Sequence, residues 1–126
     1  MPPNSMTSIA SDVGAVGGFR DGAPQRVVVN GRALVVVRKG SEFFALREAC
    51  PHAGASLSRG RVVGLPRQAL PGNAAGYERE GEILTCPWHG WSFDLRTGRS
   101  LVKPEKVRVR AYAVSVRDGR VCIHAD

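Results

Sequence analysis

The chain has 126 residues and a formal net charge of +7, with 43% hydrophobic and only 6% aromatic residues. This length supports one domain with a modest core and excludes two well-packed domains. The sequence has no run of eighteen apolar residues and no basic N-terminal segment followed by an apolar run, so it predicts neither a membrane span nor a signal peptide. We therefore expect a cytoplasmic protein.

The composition favours strands over helices. Fifteen glycines and eight prolines interrupt short β-branched runs, which is typical of many short strands joined by turns. Residues 1–12 are small and polar and are predicted to form a flexible N-terminus. We therefore expect one all-β domain over residues 13–126.

Three strands are predicted before the first cysteine. Gln25–Val29 and Arg32–Val37 are β-branched runs on either side of Asn30-Gly31, the pair typical of a type I′ hairpin turn. A further turn leads into Glu42–Arg47. This meander delivers the chain to Cys50.

The middle of the chain is less regular. Arg59–Val63 and Glu82–Thr85 are predicted as short strands. Residues 64–80 carry several glycines and prolines without periodicity, so we predict an irregular insertion there.

Two more strands are predicted near the C-terminus. Val107–Arg110 alternates with period two, and the apolar residues from Tyr112 onward have the opposite parity, which predicts a β-bulge near Ala111. Asp118-Gly119 then predicts a second hairpin turn, into Arg120–His124.

Two short motifs carry the chemistry of the chain. Cys50 and His52 stand in Cys-Pro-His, and Cys86 and His89 stand in Cys-Pro-Trp-His, so four of the six cysteines and histidines fall in two compact pairs. Two thiolates and two imidazoles suit either a tetrahedral zinc ion or a two-iron cluster. Zinc fingers keep like ligands together, whereas here each predicted loop offers one cysteine and one histidine. This interleaving favours a two-iron cluster, with zinc as the competing interpretation.

The remaining cysteine, Cys122, lies between Val121 and Ile123 and is predicted to be a buried strand residue.

The motifs also carry a family resemblance. Ala49 to Ala55 and Cys86 to Asp94, with Thr97-Gly98 behind them, resemble the Rieske [2Fe-2S] family, above all soluble Rieske-type ferredoxins and the cluster domains of ring-hydroxylating oxygenases. The resemblance implies an antiparallel β sandwich or partly open barrel with two cluster-binding loops. It also implies one [2Fe-2S] cluster, with Cys50 and Cys86 on one iron and His52 and His89 on the other, exposed iron.

The function implied is that of a one-electron carrier between a reductase and a terminal oxygenase or other oxidoreductase, without a catalytic site of its own. A mononuclear oxygenase iron needs two histidines and a carboxylate, and only His124 remains. A Gly-rich dinucleotide fingerprint is also missing from the sequence. A structural zinc interaction module and a redox-sensing accessory subunit are the alternatives.

The positive charge bears on the partners. The arginines are scattered without a run of five, so neither nucleic acid nor membrane is expected as a partner. A reductase and a terminal oxygenase or other oxidoreductase are expected as partners. The charge itself is interpreted first as a scattered, solvated basic surface, with the docking of an acidic partner protein as the alternative. Arg59, Arg96 and Arg99 are the candidate docking residues.

Overall fold

Strands dominate the computed structural model, which describes residues 10–49, 56–67, 76–87, 91–101 and 107–124. These residues form nine strands and two single-turn 3-10 helices, at Val16–Gly18 and Leu57–Arg59. The strands are β1 (Ala10–Ala15), β2 (Gln25–Val29), β3 (Arg32–Lys39), β4 (Glu42–Arg47), β5 (Arg61–Arg67), β6 (Gly76–Thr85), β7 (Ser92–Asp94), β8 (Ala111–Arg117) and β9 (Arg120–His124).

The strands form two antiparallel sheets. The larger sheet has the order β1-β9-β8-β4-β3-β2, and the smaller has the order β5-β6-β7. Every strand pair in both sheets is antiparallel. The predicted all-β class is therefore confirmed.

Strands β3 and β4 lie between two hydrophobic cores. Val35 and Val37 pack into one core, against the smaller sheet, while Leu34 and Val36 pack into the other. All four side chains are fully buried. A strand that is buried on both faces needs apolar residues at every position, which explains the uninterrupted run here.

Both predicted hairpin turns are present. Asn30 and Gly31 have φ angles of 52° and 78°, and Asp118 and Gly119 have 50° and 74°. Positive φ at both central residues is what a type I′ turn requires, and it matches the twist of the flanking strands. The two turns fix the registers of β2 with β3 and of β8 with β9.

Two predicted boundaries need correction. Residues 10–12, assigned to the flexible N-terminus, belong to β1 and pair with residues 122–124 of β9. Residues 64–67 and 76–80 of the predicted irregular insertion belong to β5 and β6, in which residues 65–67 pair with residues 76–78 after a shift of register at residue 64. Residues 68–75 lie outside the described residues. The sequence is rich in Gly and Pro and has low strand propensity, so these strands form because their two arms hydrogen-bond to each other in the folded chain.

The predicted bulge near Ala111 is wrong. β8 begins at Ala111 and its register with β9 is regular, whereas Val107 and Val109 pack against the core beside the smaller sheet. Tyr112 packs in the other core. The change of parity therefore marks the point at which the apolar side chains pass from one core to the other.

Within the described segments, no helix is long and apolar enough to cross a membrane. Both helices are single turns of three residues. The cytoplasmic location stays a prediction.

Candidate metal centre

Cys86 is the one predicted ligand within the described residues; Cys50, His52 and His89 lie outside them. Cys86 directly follows β6, is only 2% exposed, and forms no disulfide within the described part of the chain. It packs in the core beside Leu84 and Phe93. The strand therefore fixes a buried thiol, a soft donor that suits iron.

The second predicted ligand loop, residues 86–91, is closed at its base. The Cys86 amide donates to the Trp91 carbonyl at 2.6 Å, and the hydroxyls of Thr85 and Ser92 lie 3.0 Å apart. Trp91 is partly buried and packs against the core that contains Cys86, where a large aromatic side chain adds apolar contact. These contacts hold together the two ends of the segment that carries His89.

The first predicted ligand loop, residues 49–56, is closed by Glu48. Ala49 and Ser56 form an antiparallel bridge, and the Leu57 amide donates to the Glu48 carbonyl at 2.8 Å. The buried Glu48 carboxylate accepts bonds from the Ser58 amide, at 2.7 Å, and from the Ser58 hydroxyl. Glu48 therefore ties the end of the loop to its beginning.

Sequence reasoning missed Glu48 and Ser58. A glutamate directly after a strand is usually exposed to solvent, so nothing in the sequence singles out Glu48. Ser58 is ten residues away and reaches Glu48 only in the folded chain. Glu48 is buried and Ser58 partly so, and a buried carboxylate needs such hydrogen-bond donors to offset its desolvation.

The antiparallel pairing of β5 with β6 brings the end of the first predicted loop close to the start of the second. Arg61, near the exit of the first loop, pairs with Thr85, which precedes Cys86. A Cβ atom on Gly60 would lie 2.0 Å from the Thr85 carbonyl oxygen, so only glycine permits this approach. Leu57 is fully buried in the same core as Cys86. The exit of one loop therefore adjoins the entry of the other.

A network of ion pairs from partly exposed cations surrounds the buried carboxylate of Glu82 on β6. Its carboxylate is bound by Lys39, by Arg79 at 2.8 Å and by Arg96 at 3.0 Å. These bonds, from Arg96 first and then from Lys39 and Arg79, hold the pKa of Glu82 well below its usual range. Bonds to Glu82 and Glu42 likewise raise the pKa of Arg96.

Arg96, one of the predicted docking residues, belongs to this network. Arg96 is bidentate to Glu42, at 3.0 and 3.1 Å, and its guanidinium lies 5.1 Å from the Phe44 ring centroid. A guanidinium with these partners is occupied within the molecule. Arg96 and Arg99 are both exposed, but Arg96 is a structural residue, whereas Arg99 has no ion pair within the described residues.

A comparison of the sequence with models of protein families identifies the family to which this fold and this pair of loops belong. The chain matches the model of the Rieske [2Fe-2S] domain over residues 10–113. It belongs to the Rieske [2Fe-2S] family.

Three relatives are similar over nearly their whole length. Ferredoxin CarAc of Metapseudomonas resinovorans is 30% identical over 94% of this chain and 95% of its own length. The ferredoxin of carbazole 1,9a-dioxygenase from Nocardioides aromaticivorans IC177 superposes with a TM-score of 0.76, at 28% identity over 94% of this chain and all of that one. A ferredoxin solved in complex with the reduced oxygenase of carbazole 1,9a-dioxygenase gives 0.71, at 29% identity over 93% and 94%.

The cofactor of the chain is accordingly a Rieske-type [2Fe-2S] cluster, and the chain is a Rieske-type ferredoxin, an electron carrier. The competing zinc interpretation is thereby rejected. The described residues fit the cluster, since the buried Cys86 thiol stands at a strand end beside two loops whose bases are closed.

Proposed function

We propose that this ferredoxin is a component of a ring-hydroxylating oxygenase system, in which it takes one electron from a reductase and delivers it to the terminal oxygenase. The observation that carries the proposal is the near end-to-end match to a ferredoxin of carbazole 1,9a-dioxygenase. A second relative was solved with its oxygenase bound, which supports direct contact between such partners.

The four predicted ligands divide between the two irons in this proposal. Cys50 and Cys86 hold one iron as thiolates, and His52 and His89 hold the other through neutral imidazoles. The bound cluster supplies reversible one-electron chemistry, at a potential raised by replacing two thiolates with imidazoles. Glu48 and the Cys86–Trp91 hydrogen bond hold together the two ends of each predicted ligand loop.

The remaining histidine does not suit a second iron site. His124 lies on β9 and its Nε2 is 3.0 Å from the Ser115 hydroxyl. With three histidines in the chain, two of them assigned to the cluster, a facial triad of two histidines and a carboxylate is out of reach. Oxygen activation therefore belongs to the partner.

The first test is electron paramagnetic resonance of the dithionite-reduced protein, with iron and acid-labile sulfide assayed on the same sample. We expect a rhombic signal at low average g and two irons with two sulfides per chain. The potential should fall toward the low end of the Rieske range of roughly −150 to +300 mV, since neither motif contains a second cysteine. One zinc per chain and a silent spectrum would contradict the proposal.

The second test separates a carrier from a redox sensor. A flavin reductase of a dioxygenase system, with NADH, should reduce cytochrome c faster when this protein is added. Protein whose cluster has been removed serves as the control. A cluster that dithionite reduces, but that mediates no transfer from any reductase, would favour the accessory-subunit alternative.

A further inference from the structure

Four exposed arginines form a row along the junction of the two sheets: Arg47, Arg110, Arg108 and Arg99. Arg99 and Arg108 are directly opposed in an antiparallel bridge. The hydrogen bonds from Ser100 N to Val107 O, 2.9 Å, and from Val109 N to Gly98 O, 2.7 Å, lie on either side of this pair. In this type of pair the side chains share a face and stand close together.

The row continues across to the larger sheet. Arg108 and Arg110 are exposed on either side of the buried Val109, as expected for extended backbone. The Arg47 amide donates to the Arg110 carbonyl at 2.9 Å, which places Arg47 at the far end. The backbone pairing therefore places the four positive side chains in one series, from the bridge between residues 99 and 108 to Arg47 on β4.

The charges of this row are not balanced within the described residues. None of the four has an ion pair there, and the Arg110 guanidinium lies 4.9 Å from the centroid of the Tyr112 ring. Other arginines are bound internally, to carboxylates or to carbonyl oxygens: Arg26, Arg38, Arg79, Arg96 and Arg120. Opposed like charges cost stability, and an external anion would relieve that cost.

One end of the row lies beside the candidate metal centre. The Leu101 amide donates to the Ser92 carbonyl at 2.9 Å, and Ser92 on β7 pairs with Thr85 on β6, next to Cys86. The backbone at residues 99–101 is thus two strand spacings, about 10 Å, from the strand that leads to Cys86. Leu101 is 40% exposed and adds an apolar contact at this end.

We propose that the arginine row, with Leu101, is the surface on which an acidic protein partner docks, so that carboxylates on the partner face the row while its redox group approaches the cluster loops. This inference rests on the proposed function. Single-stranded nucleic acids bind surfaces on which their bases stack on aromatic side chains. The arginine row has an exposed leucine beside it and, among its described residues, no exposed aromatic side chain. A protein partner is therefore favoured over nucleic acid.

The test measures the binding of a fluorescein-labelled dodecaglutamate peptide to the holoprotein by fluorescence anisotropy, at low and at physiological salt. The double variant R99Q/R108Q should bind about tenfold more weakly, since each exposed charge pair contributes modestly. The charge-conserving variant R99K/R108K should bind within about twofold of the unmodified protein, because the row recognises charge.

The matched control is R20Q/R117Q, which removes the same net charge from two exposed arginines elsewhere. Arg117 lies six residues along β8 from Ala111, about 20 Å away. Equal loss of binding in this control, or no peptide binding by the unmodified protein, would overturn the proposal. So would a single-stranded DNA 12-mer that binds more tightly than the peptide and is lost with R99Q/R108Q.

The resonance spectrum of each variant separates this inference from the proposed function. If every variant has a Rieske signal and mediates electron transfer to cytochrome c, while peptide binding is insensitive to the row, the docking surface is wrong and the carrier function stands. If the unmodified protein has no Rieske signal, the carrier function fails irrespective of peptide binding.

Discussion

At the scale of a single residue, Cys86 is the one proposed cluster ligand that the structure describes. It is buried at the end of β6, and the remaining cysteine of the described residues, Cys122, is buried in β9. We predict that Cys86→Ser abolishes the iron–sulfur resonance signal and the bound iron, because a thiolate ligand is lost. Cys122→Ala is the control and should retain both.

That pair of variants distinguishes ligation from burial. Both changes remove a buried sulfur, so equal iron loss in the two variants would indicate that a general loss of packing is responsible. The measurement is iron and acid-labile sulfide per chain, with circular dichroism to verify that each variant is folded.

Glu48 closes the first ligand loop. Glu48→Ala removes the acceptor of the Ser58 amide and hydroxyl, and we predict a loss of about 2 kcal/mol in the free energy of unfolding. Ser58→Ala removes only the hydroxyl bond, so a smaller loss, about 1 kcal/mol, is expected. Urea unfolding followed through cluster absorbance measures both, and equal losses would show that the amide bond contributes nothing.

At the scale of elements, Gly60 sets the contact between the first loop's exit and β6. Gly60→Ala would place Cβ 2.0 Å from the Thr85 carbonyl oxygen, so the backbones must separate. We predict a destabilisation of about 3 kcal/mol and faster loss of the cluster. Thermal unfolding and the rate of cluster bleaching in chelator measure the two effects.

Gly17→Ala is the matched control for this prediction. A Cβ atom at Gly17 would meet no atom within 4 Å, and its φ lies outside the left-handed region. Its melting temperature should therefore remain close to that of the unmodified protein. A Gly60→Ala variant as stable as Gly17→Ala would refute the close approach of Gly60 to β6.

At the scale of the whole molecule, the Glu82 network links the two sheets. Glu82 lies on β6, Lys39 ends β3, and Arg96 connects Glu82 to Glu42 on β4. Glu82→Gln leaves three cations without their shared carboxylate. These cations are partly exposed, and Arg79 and Arg96 keep a second carboxylate, so we expect a loss of about 1 to 2 kcal/mol in unfolding free energy. Asp12→Asn, which breaks the exposed Asp12–Arg120 pair, should leave the urea midpoint unchanged within error.

The same network predicts a pH dependence. Because the pKa of Glu82 is lowered in the folded protein, its stabilisation is fully present above the ordinary range of a glutamate and is lost as pH falls through that range toward the folded value. The gap in urea midpoint between the unmodified protein and Glu82→Gln should therefore stay nearly constant between roughly pH 7 and pH 5, and should narrow as the pH falls below about 4.5. A gap that widens on acidification would contradict this assignment.

Some features followed from the sequence alone because their causes are local. Asn30-Gly31 and Asp118-Gly119 demand positive φ, so the two hairpins and their neighbouring strands were predictable. The paired cysteine and histidine motifs indicated the cofactor and the family for the same reason, since the ligands stand close together in the sequence. The four-residue ligand set itself remains a prediction.

The tertiary structure decided everything that depends on contacts between distant residues. The arms of β5 and β6 pair only when the chain is folded, and the parity change at Ala111 has meaning only when two cores exist. Arg96 and Arg99 look alike in the sequence, yet one binds Glu82 and Glu42 while the other lies exposed opposite Arg108. The physical reason is that burial and charge pairing are properties of neighbours in space, which local propensity does not encode.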